Sequence, residues 1–387
     1  MLESLKTQYE QLQQQWCEQV PGCNFSSPKQ VSAWIAKERL EPDDDWPKTP
    51  SGDYSTTADD LMVYGVGLSG SAAHIVKDIL LPLKRVHKEV SAFGDKFLDC
   101  IDATTGRIHA SFNLAGAVTG RMSCSKPNLQ QIPRQGRYRE MFRVAEGHKL
   151  VIADYSQMEL RIAAIIADEQ VLLDAYQQGQ DTHRLTAALI LGKEPEEISK
   201  DERQLAKAVN FGLLYGQGAP GLQAYAASSY GVNIDIAEAN AYREAWFDSY
   251  PAFARWHDLS YRLAKHEMMI STPSGRKRYF TSTEYNDPNG LKRAVVYNTP
   301  VQGGAAKVLL VAMAKLSDAI AEQGYAETIK PIAVIHDEII LEARSDCAEQ
   351  AKQLLEEAMI SAMLAIFPEA STQDLVEAHI GNSWADK

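Results

Sequence analysis

Two carboxylates stand where apolar runs must stop. Val151-Ile-Ala-Asp154-Tyr-Ser-Gln-Met-Glu159-Leu-Arg161 carries the first, and Ile335-His336-Asp337-Glu338-Ile-Ile the second. Pro331 to Ile335 and Ile339 to Ala343 are apolar, so His336-Asp337-Glu338 falls at the tip of a tight hairpin. Adjacent acids at such a tip are costly unless solvated or bound to metal. A third stretch brings the opposite charge. In Arg203-Gln-Leu-Ala-Lys207-Ala-Val-Asn-Phe211-Gly-Leu-Leu-Tyr215-Gly216, cations and then aromatics recur every four residues. Each step drifts ~40°, so Arg203, Lys207, Phe211 and Tyr215 share one slowly turning helix face about 18 Å long. Cations suit phosphate and flat rings suit a base. Taken alone, such a helix is more often a solvated edge beside a core stripe. Taken together, the three stretches suit phosphoryl transfer, which needs positioning and charge neutralisation more than covalent chemistry. Two metal ions ~3.5–4 Å apart can serve it. Asp154 and Asp337 are the carboxylates able to share two Mg²⁺ ions, with Mn²⁺ as a substitute, and metal would offset their mutual repulsion.

The surrounding elements must place these groups. Lys149 to Asp154 reads as a strand and Ser156 to Ala167 as a helix, so Asp154 sits where strand becomes helix. Ser156-x-x-Glu159 and Ser199-x-x-Glu202 both fit capping boxes, and Gly216 fits a helix stop. Upstream, residues 1–36 read as helices with a break at Pro21-Gly22 and Pro28 in a first turn. Residues 41–55 are loop-like, and helical patterns return at Thr57 to Tyr64 and Ser71 to Phe93. Gly106 to Phe112 alternates as a strand. Thr119 to Pro133 is rich in turn-formers around Arg121, which could meet minor-groove acceptors if a duplex lay nearby. Residues 166–264 run mostly helical. Thr272 to Tyr279 reads as a hairpin turning at Ser-Gly, and Asn298 opens a helix through Leu316. A helix from Cys347 to Phe367 and a strand from Leu375 to Ile380 close the chain. There is no internal repeat.

The 387 residues are enough for two or three packed units. Apolar content of 45% and charged content of 23% are ordinary for a soluble globular protein. No run approaches the ~18 apolar residues of a membrane span, and the polar N-terminus lacks a signal-peptide apolar region. Five cysteines without a CxxC pair imply reduced thiols in a cytoplasmic protein rather than a disulfide frame or zinc site. The net charge of −12 argues, by itself, against a nucleic-acid binder. It averages over basic islands at Lys84 to Lys88, Arg134 to Arg143, and Arg276-Lys277-Arg278 with Lys292-Arg293, and over acidic runs at Glu41 to Asp45 and Glu194 to Glu197. Only a cleft needs to be positive for DNA to enter it.

The three stretches resemble, in order, motifs A, B and C of family A DNA polymerases, the bacterial DNA polymerase I type. The likeness extends over most of the chain. Cys23-Asn-Phe-Ser-Ser-Pro-Lys-Gln30 resembles the family's FNxxSPKQ signature, with Cys23 where Phe is usual. Thr119-Gly-Arg121 through Pro133 resembles TGRLSSxxPNLQNIP, departing at Met122, Cys124 and Gln131. Trp246 to Pro251 resembles YFxxYP, Asn298 to Lys307 resembles NxPxQGxAAD with Lys307 where an acid is usual, and Gly381 to Trp384 resembles the family's end. The spacing from Arg293 to Gln302 is one residue longer than in the family, so no role is carried onto Arg293.

The resemblance implies an α+β right-hand fold with an antiparallel palm sheet, helical fingers and a helical thumb. It divides the chain into thumb (1–103, beginning inside that region), palm (104–165), fingers (166–285) and palm again (286–387). It implies extension of a primer on template DNA from deoxynucleoside triphosphates, by a monomer independent of membranes. Asp154, the Tyr155 carbonyl and Asp337 would hold the two ions, supported by Glu338. Lys207 and Arg203 would hold the triphosphate, Lys207 donating a proton to pyrophosphate, and His183 would also reach phosphate. Phe211 would lie on the sugar and Tyr215 near the templating base. Glu159 would fill the space of a ribose 2′-hydroxyl, with Gln157 near the same nucleotide. Arg121, Asn298 and Gln302 would read minor-groove acceptors, and His336 would support the primer terminus. With no acidic exonuclease cluster and no room upstream for such a domain, the expectation is no proofreading by this chain. Rival readings are a single-subunit RNA polymerase or reverse transcriptase, a metal phosphohydrolase built on His336-Asp337, and a non-catalytic DNA-binding module. Glu159 disfavours the RNA polymerase, the hairpin context disfavours the hydrolase, and intact Asp154, Asp337 and Lys207 disfavour the module.

Overall fold

The computed structural model describes residues 2–39, 46–134, 138–288 and 290–387. The acidic run Glu41 to Asp45, and Arg137 of the basic island at 134–143, lie outside these residues. The chain forms two compact units, one of Met1–His109 with Ala219–Asn240, the other of Ala110–Gly218 with Ala241–Lys387. Residues 219–240 pack with the N-terminal residues in the first unit.

That first unit is helical, with Leu2–Gln19, Pro28–Glu38, Ala58–Tyr64, Leu81–Phe93 and Ala219–Tyr230 as its principal helices. Pro28 does open its helix, preceded by Ser27, whose hydroxyl accepts the Gln30 N–H. The break at Pro21-Gly22 is bridged by the Trp16 indole, which donates to the Cys23 carbonyl at 2.7 Å. Trp16, Val31, Ile35, Leu61, Leu80 and Leu83 form the buried centre.

The second unit holds all eight strands seen among the described residues. β1 (Ser111–Asn113) pairs with β2 (Ser123–Ser125). The principal sheet contains β3 (His148–Tyr155), β6 (Ile329–Ile335), β7 (Glu338–Arg344) and β8 (Val376–Gly381), in the antiparallel order β6-β7-β3-β8. β4 (Met269–Ser271) and β5 (Lys277–Tyr279) make the expected small hairpin. β3 and β7 are inner strands, and Leu150 to Ala153 and Ile339 to Leu341 are continuous buried apolar runs because both faces are covered. The Ala348–Ile366 helix packs on this sheet and on the Arg293–Glu322 helix. No helix among the described residues is long and apolar enough to cross a membrane.

Several boundaries differ from expectation. Regular pairing in the 106–112 stretch begins only at Ser111, Ile108 making an isolated bridge to Ile101. The helix expected to open at Asn298 spans Arg293–Glu322, with Pro300 inside it. An interior proline costs about 3 kcal/mol. Burial of Val296, Tyr297, Val301, Val308 and Leu309 offsets it, and the Thr299 hydroxyl donates to the Val295 carbonyl at 2.7 Å.

Candidate active site

The register of β3 against β7 sets Asp154 opposite Glu338. Asp337, one residue earlier, lies in the two-residue β6–β7 turn, since Ile335 pairs with Glu338. The Tyr155 N–H reaches the Asp337 carbonyl at 3.4 Å, tying the two strand ends together. The turn takes a strained form, with His336 at φ +59°. Burial, and then the neighbouring charge of Asp154, push the Asp337 carboxyl above its usual range, which is the expected cost of crowding two acids. Arg134 stands 3.8 Å from Asp337. The side chain of Asp154 is only 15% exposed; the Lys387 ammonium meets one of its oxygens, and Oδ1 is buried without a hydrogen-bond partner. Two carboxylates with an unsatisfied oxygen between strand ends fit a hard divalent cation that completes its shell with water and phosphate.

Glu338 corrects the expectation for paired acids at a hairpin tip. It is 0% exposed and is neutralised by protein groups instead of solvent or metal. Its carboxylate accepts the Trp384 indole N–H at 2.7 Å and the Lys387 ammonium at 2.9 Å, with Arg139 at 3.4 Å. The Arg139 guanidinium also lies 4.2 Å above the Trp384 ring.

The Lys200–Leu214 helix carries the phosphate-suited face. Ser199 and Glu202 make the expected capping box, and Gly216 follows the helix end at φ +76°. Leu205, Ala206, Ala208, Val209, Leu213 and Leu214 are buried, which leaves Arg203, Lys207, Phe211 and Tyr215 half-exposed along one side. Arg203 pairs with Asp181 at 2.5 Å. Burial first, then Arg203, lower the pKa of Lys207, so it gives up a proton more readily than a free lysine. His183 packs against Phe211 with ring centroids 5.9 Å apart. Burial, then Lys207 and Arg203, push it down to about 3, so it is neutral at physiological pH.

Residues 1–386 match the profile of DNA polymerase family A. The chain belongs to this family. It is 37% identical over 360 residues to DNA polymerase I of Aquifex aeolicus, covering 92% of this chain and 58% of that protein. To DNA polymerase I of Pseudomonas aeruginosa it is 34% identical, covering 93% of this chain and 38% of that protein. The chain thus spans about two-fifths to three-fifths of the length of these relatives. Among solved structures it resembles the polymerase domain of Pol1 from M. smegmatis in complex with DNA primer-template and dNTP. That likeness has a TM-score of 0.83 at 28% identity and covers all of this chain and 65% of the other. The antiparallel sheet and helical remainder are those of a family A polymerase domain.

A second correction concerns Glu159. No capping box forms at Ser156, because Gln157 takes φ +52° and the helix starts at Met158. The Glu159 carboxylate instead meets the Arg121 guanidinium and the Tyr215 hydroxyl, which joins three of the expected family A site residues in one contact. Burial raises its pKa against the pull of Arg121. Gln157 turns its amide oxygen to the hydroxyls of Thr182 and Tyr176. Asn298 and Gln302 lie four residues apart on the long helix, and the Asn298 Oδ1 is buried without a partner. His336 is exposed at the turn. The Tyr155 hydroxyl donates to the Met359 carbonyl at 2.7 Å, which anchors the end of β3.

Sequence reading missed Asp181, Arg139, Asn210, Trp384 and Lys387 as partners of the site. Asp181 sits two residues before His183 in an N-cap position, a local signal that was available. For the others no local signal exists, since their partners are distant in the chain.

Proposed function

We propose that this chain is a template-directed DNA polymerase, adding deoxynucleotides to a primer 3′-hydroxyl and releasing pyrophosphate. The observation that carries the reading is the β3–β7 register, which brings Asp154 and the turn bearing Asp337 to one point. Family membership, and the primer-template and dNTP in the M. smegmatis complex, support it. Asp154, Asp337 and the Tyr155 carbonyl hold two Mg²⁺ ions, or Mn²⁺ in their place. Such ions, when bound, supply Lewis-acid activation of a hydroxyl and charge relief on a leaving phosphate. Glu338, engaged with Arg139, Lys387 and Trp384, positions the start of β7 and does not contribute a ligand.

Arg203 and Lys207 bind the triphosphate, the lowered pKa of Lys207 favouring proton donation to pyrophosphate. Phe211 and Tyr215 face sugar and base. Glu159, held by Arg121 and Tyr215, fills the place of a 2′-hydroxyl, with Gln157 bracing the same turn. Arg121, Asn298 and Gln302 read minor-groove acceptors, and His336 supports the primer end. In this reading residues 1–103 serve as thumb, 104–165 and 286–387 as palm, and 166–285 as fingers. The enzyme works as a monomer in the cytoplasm, where its cysteines stay reduced.

Primer extension with Mg²⁺ tests this. Wild type should extend with dNTPs, Asp337→Asn should lose extension while still binding DNA, and Glu159→Ala should gain use of rNTPs. Unchanged extension by a folded Asp337→Asn would sink the metal assignment, and extension by wild type with rNTPs would sink the sugar gate.

A further inference from the structure

Behind the triphosphate-facing side chains lies a polar network with no surface exposure. Asn210 and Thr186 are fully buried, and His183 is 1% exposed. The directions of its hydrogen bonds follow from one group. The Trp246 indole N–H can only donate, and it lies 2.8 Å from the Asn210 Oδ1. The amide of Asn210 is therefore oriented with its oxygen on Trp246 and its NH₂ elsewhere. That NH₂ lies 3.1 Å from the His183 Nδ1 and 2.9 Å from the Thr186 hydroxyl. Thr186 accepts from Asn210, and its own hydroxyl lies 2.8 Å from the Thr182 carbonyl, 3.2 Å from the Asn210 Oδ1 and 2.8 Å from the Tyr250 hydroxyl. With Asn210 donating to it, the His183 Nδ1 is an acceptor, and the imidazole proton resides on Nε2.

We propose that the Trp246–Asn210 relay locks His183 as a neutral imidazole with its proton on Nε2, so that it meets the incoming triphosphate as an uncharged donor and leaves charge compensation to Arg203 and Lys207. This rests on the polymerase reading above. A proton added at Nδ1 would face the Asn210 NH₂ donor to donor. The charged groups around the ring are Asp181 on its own helix, and Arg203 and Lys207 on the Lys200–Leu214 helix, where Asn210 and Phe211 also face it. Two cations already stand beside the ring, so a third positive charge is disfavoured. Asn210 and Trp246 are positioning residues, acting through His183.

The test has two readouts. Nitrogen NMR of protein labelled with ¹⁵N-histidine, the His183 signals assigned by His183→Gln, should show an unprotonated Nδ1 and a protonated Nε2, unchanged from pH 6 to 9. Steady-state extension should show a dNTP KM about tenfold or more higher for His183→Ala, by a ratio that does not vary over that pH range. Asn210→Asp, nearly isosteric, should move the proton to Nδ1 and make KM pH-dependent, lowest at acidic pH where the ring gains a second proton. Should Asn210→Asp fail to melt as a folded protein, Trp246→Phe frees the amide to turn over and should give a mixture of tautomers. Protonation of Nδ1 in wild type, or titration of the ring between pH 6 and 8, overturns the proposal. So does an unaltered tautomer in folded Asn210→Asp. An unchanged KM in His183→Ala, with the NMR result intact, overturns the nucleotide contact and separates that failure from failure of the relay.

Discussion

Replacing Glu338 with Gln should destabilise the second unit by about 3 kcal/mol at pH 7. The carboxylate is fully buried and balances Lys387 at 2.9 Å and Arg139 at 3.4 Å while accepting from Trp384 at 2.7 Å. Gln keeps the volume and an acceptor for the indole. Its NH₂, however, turns donors toward two cations. Removing one partner of a buried ion pair costs about 3–5 kcal/mol. Lys387 is partly exposed and retains Asp154, which places the cost at the lower end.

Arg139→Met keeps the packing on Trp384 while removing the other charge. The double variant should fall short of the summed single losses by about 1 kcal/mol or more. The pH sign follows from linkage. Burial raises the Glu338 pKa, but Lys387, Trp384 and Arg139 outweigh it, and the carboxyl lies below its ordinary value. Its stabilisation is therefore full above about pH 4.3 and is lost as pH falls through the folded pKa. Urea unfolding followed by tryptophan fluorescence measures both effects. A loss under about 1 kcal/mol at pH 7, or a penalty that does not shrink in acid, would refute the reasoning.

Gly216→Ala should cost roughly 2–3 kcal/mol, because the backbone sits at φ +76° and a Cβ would lie 2.6 Å from the Tyr297 ring; a melting temperature equal to wild type would contradict this. His257 donates from Nε2 to the Leu214 carbonyl at 2.9 Å and stacks on Tyr297 at 3.9 Å. Burial first, against the Leu214 bond and with Arg293, pushes it down to about 4. Between pH 4 and 6.5 the unfolded chain then binds the extra proton, so stability falls with acidification by up to about 1.4 kcal/mol per pH unit. His257→Gln keeps a donor and should remove that contribution, seen as a shallower slope of unfolding free energy against pH.

The local chemistry of this chain was open to reading before any packing was known. Ser199 and Glu202 cap a helix through groups three residues apart, and Arg203, Lys207, Phe211 and Tyr215 share a face because of helical geometry. The apolar runs around Asp154 and Asp337 end where strands end. Division of the sites between elements was not legible. Glu159 fits a capping box by spacing, yet it answers to Arg121 and Tyr215, 38 and 56 residues away. Glu338 is neutralised by Arg139, 199 residues upstream, and by Lys387. Asn298 reads as the opening of a helix, yet that helix begins at Arg293 and carries Pro300 inside it, because buried neighbours outweigh a local penalty. Asn210 looks like one polar residue on an apolar helix face until Trp246 and His183 close around it. Local rules act over about one helical turn or one strand alternation, and those settled which residue types stood on which faces. The partner of a buried charge or amide is whichever group the packed chain delivers within 3 Å, and only the tertiary structure decided that.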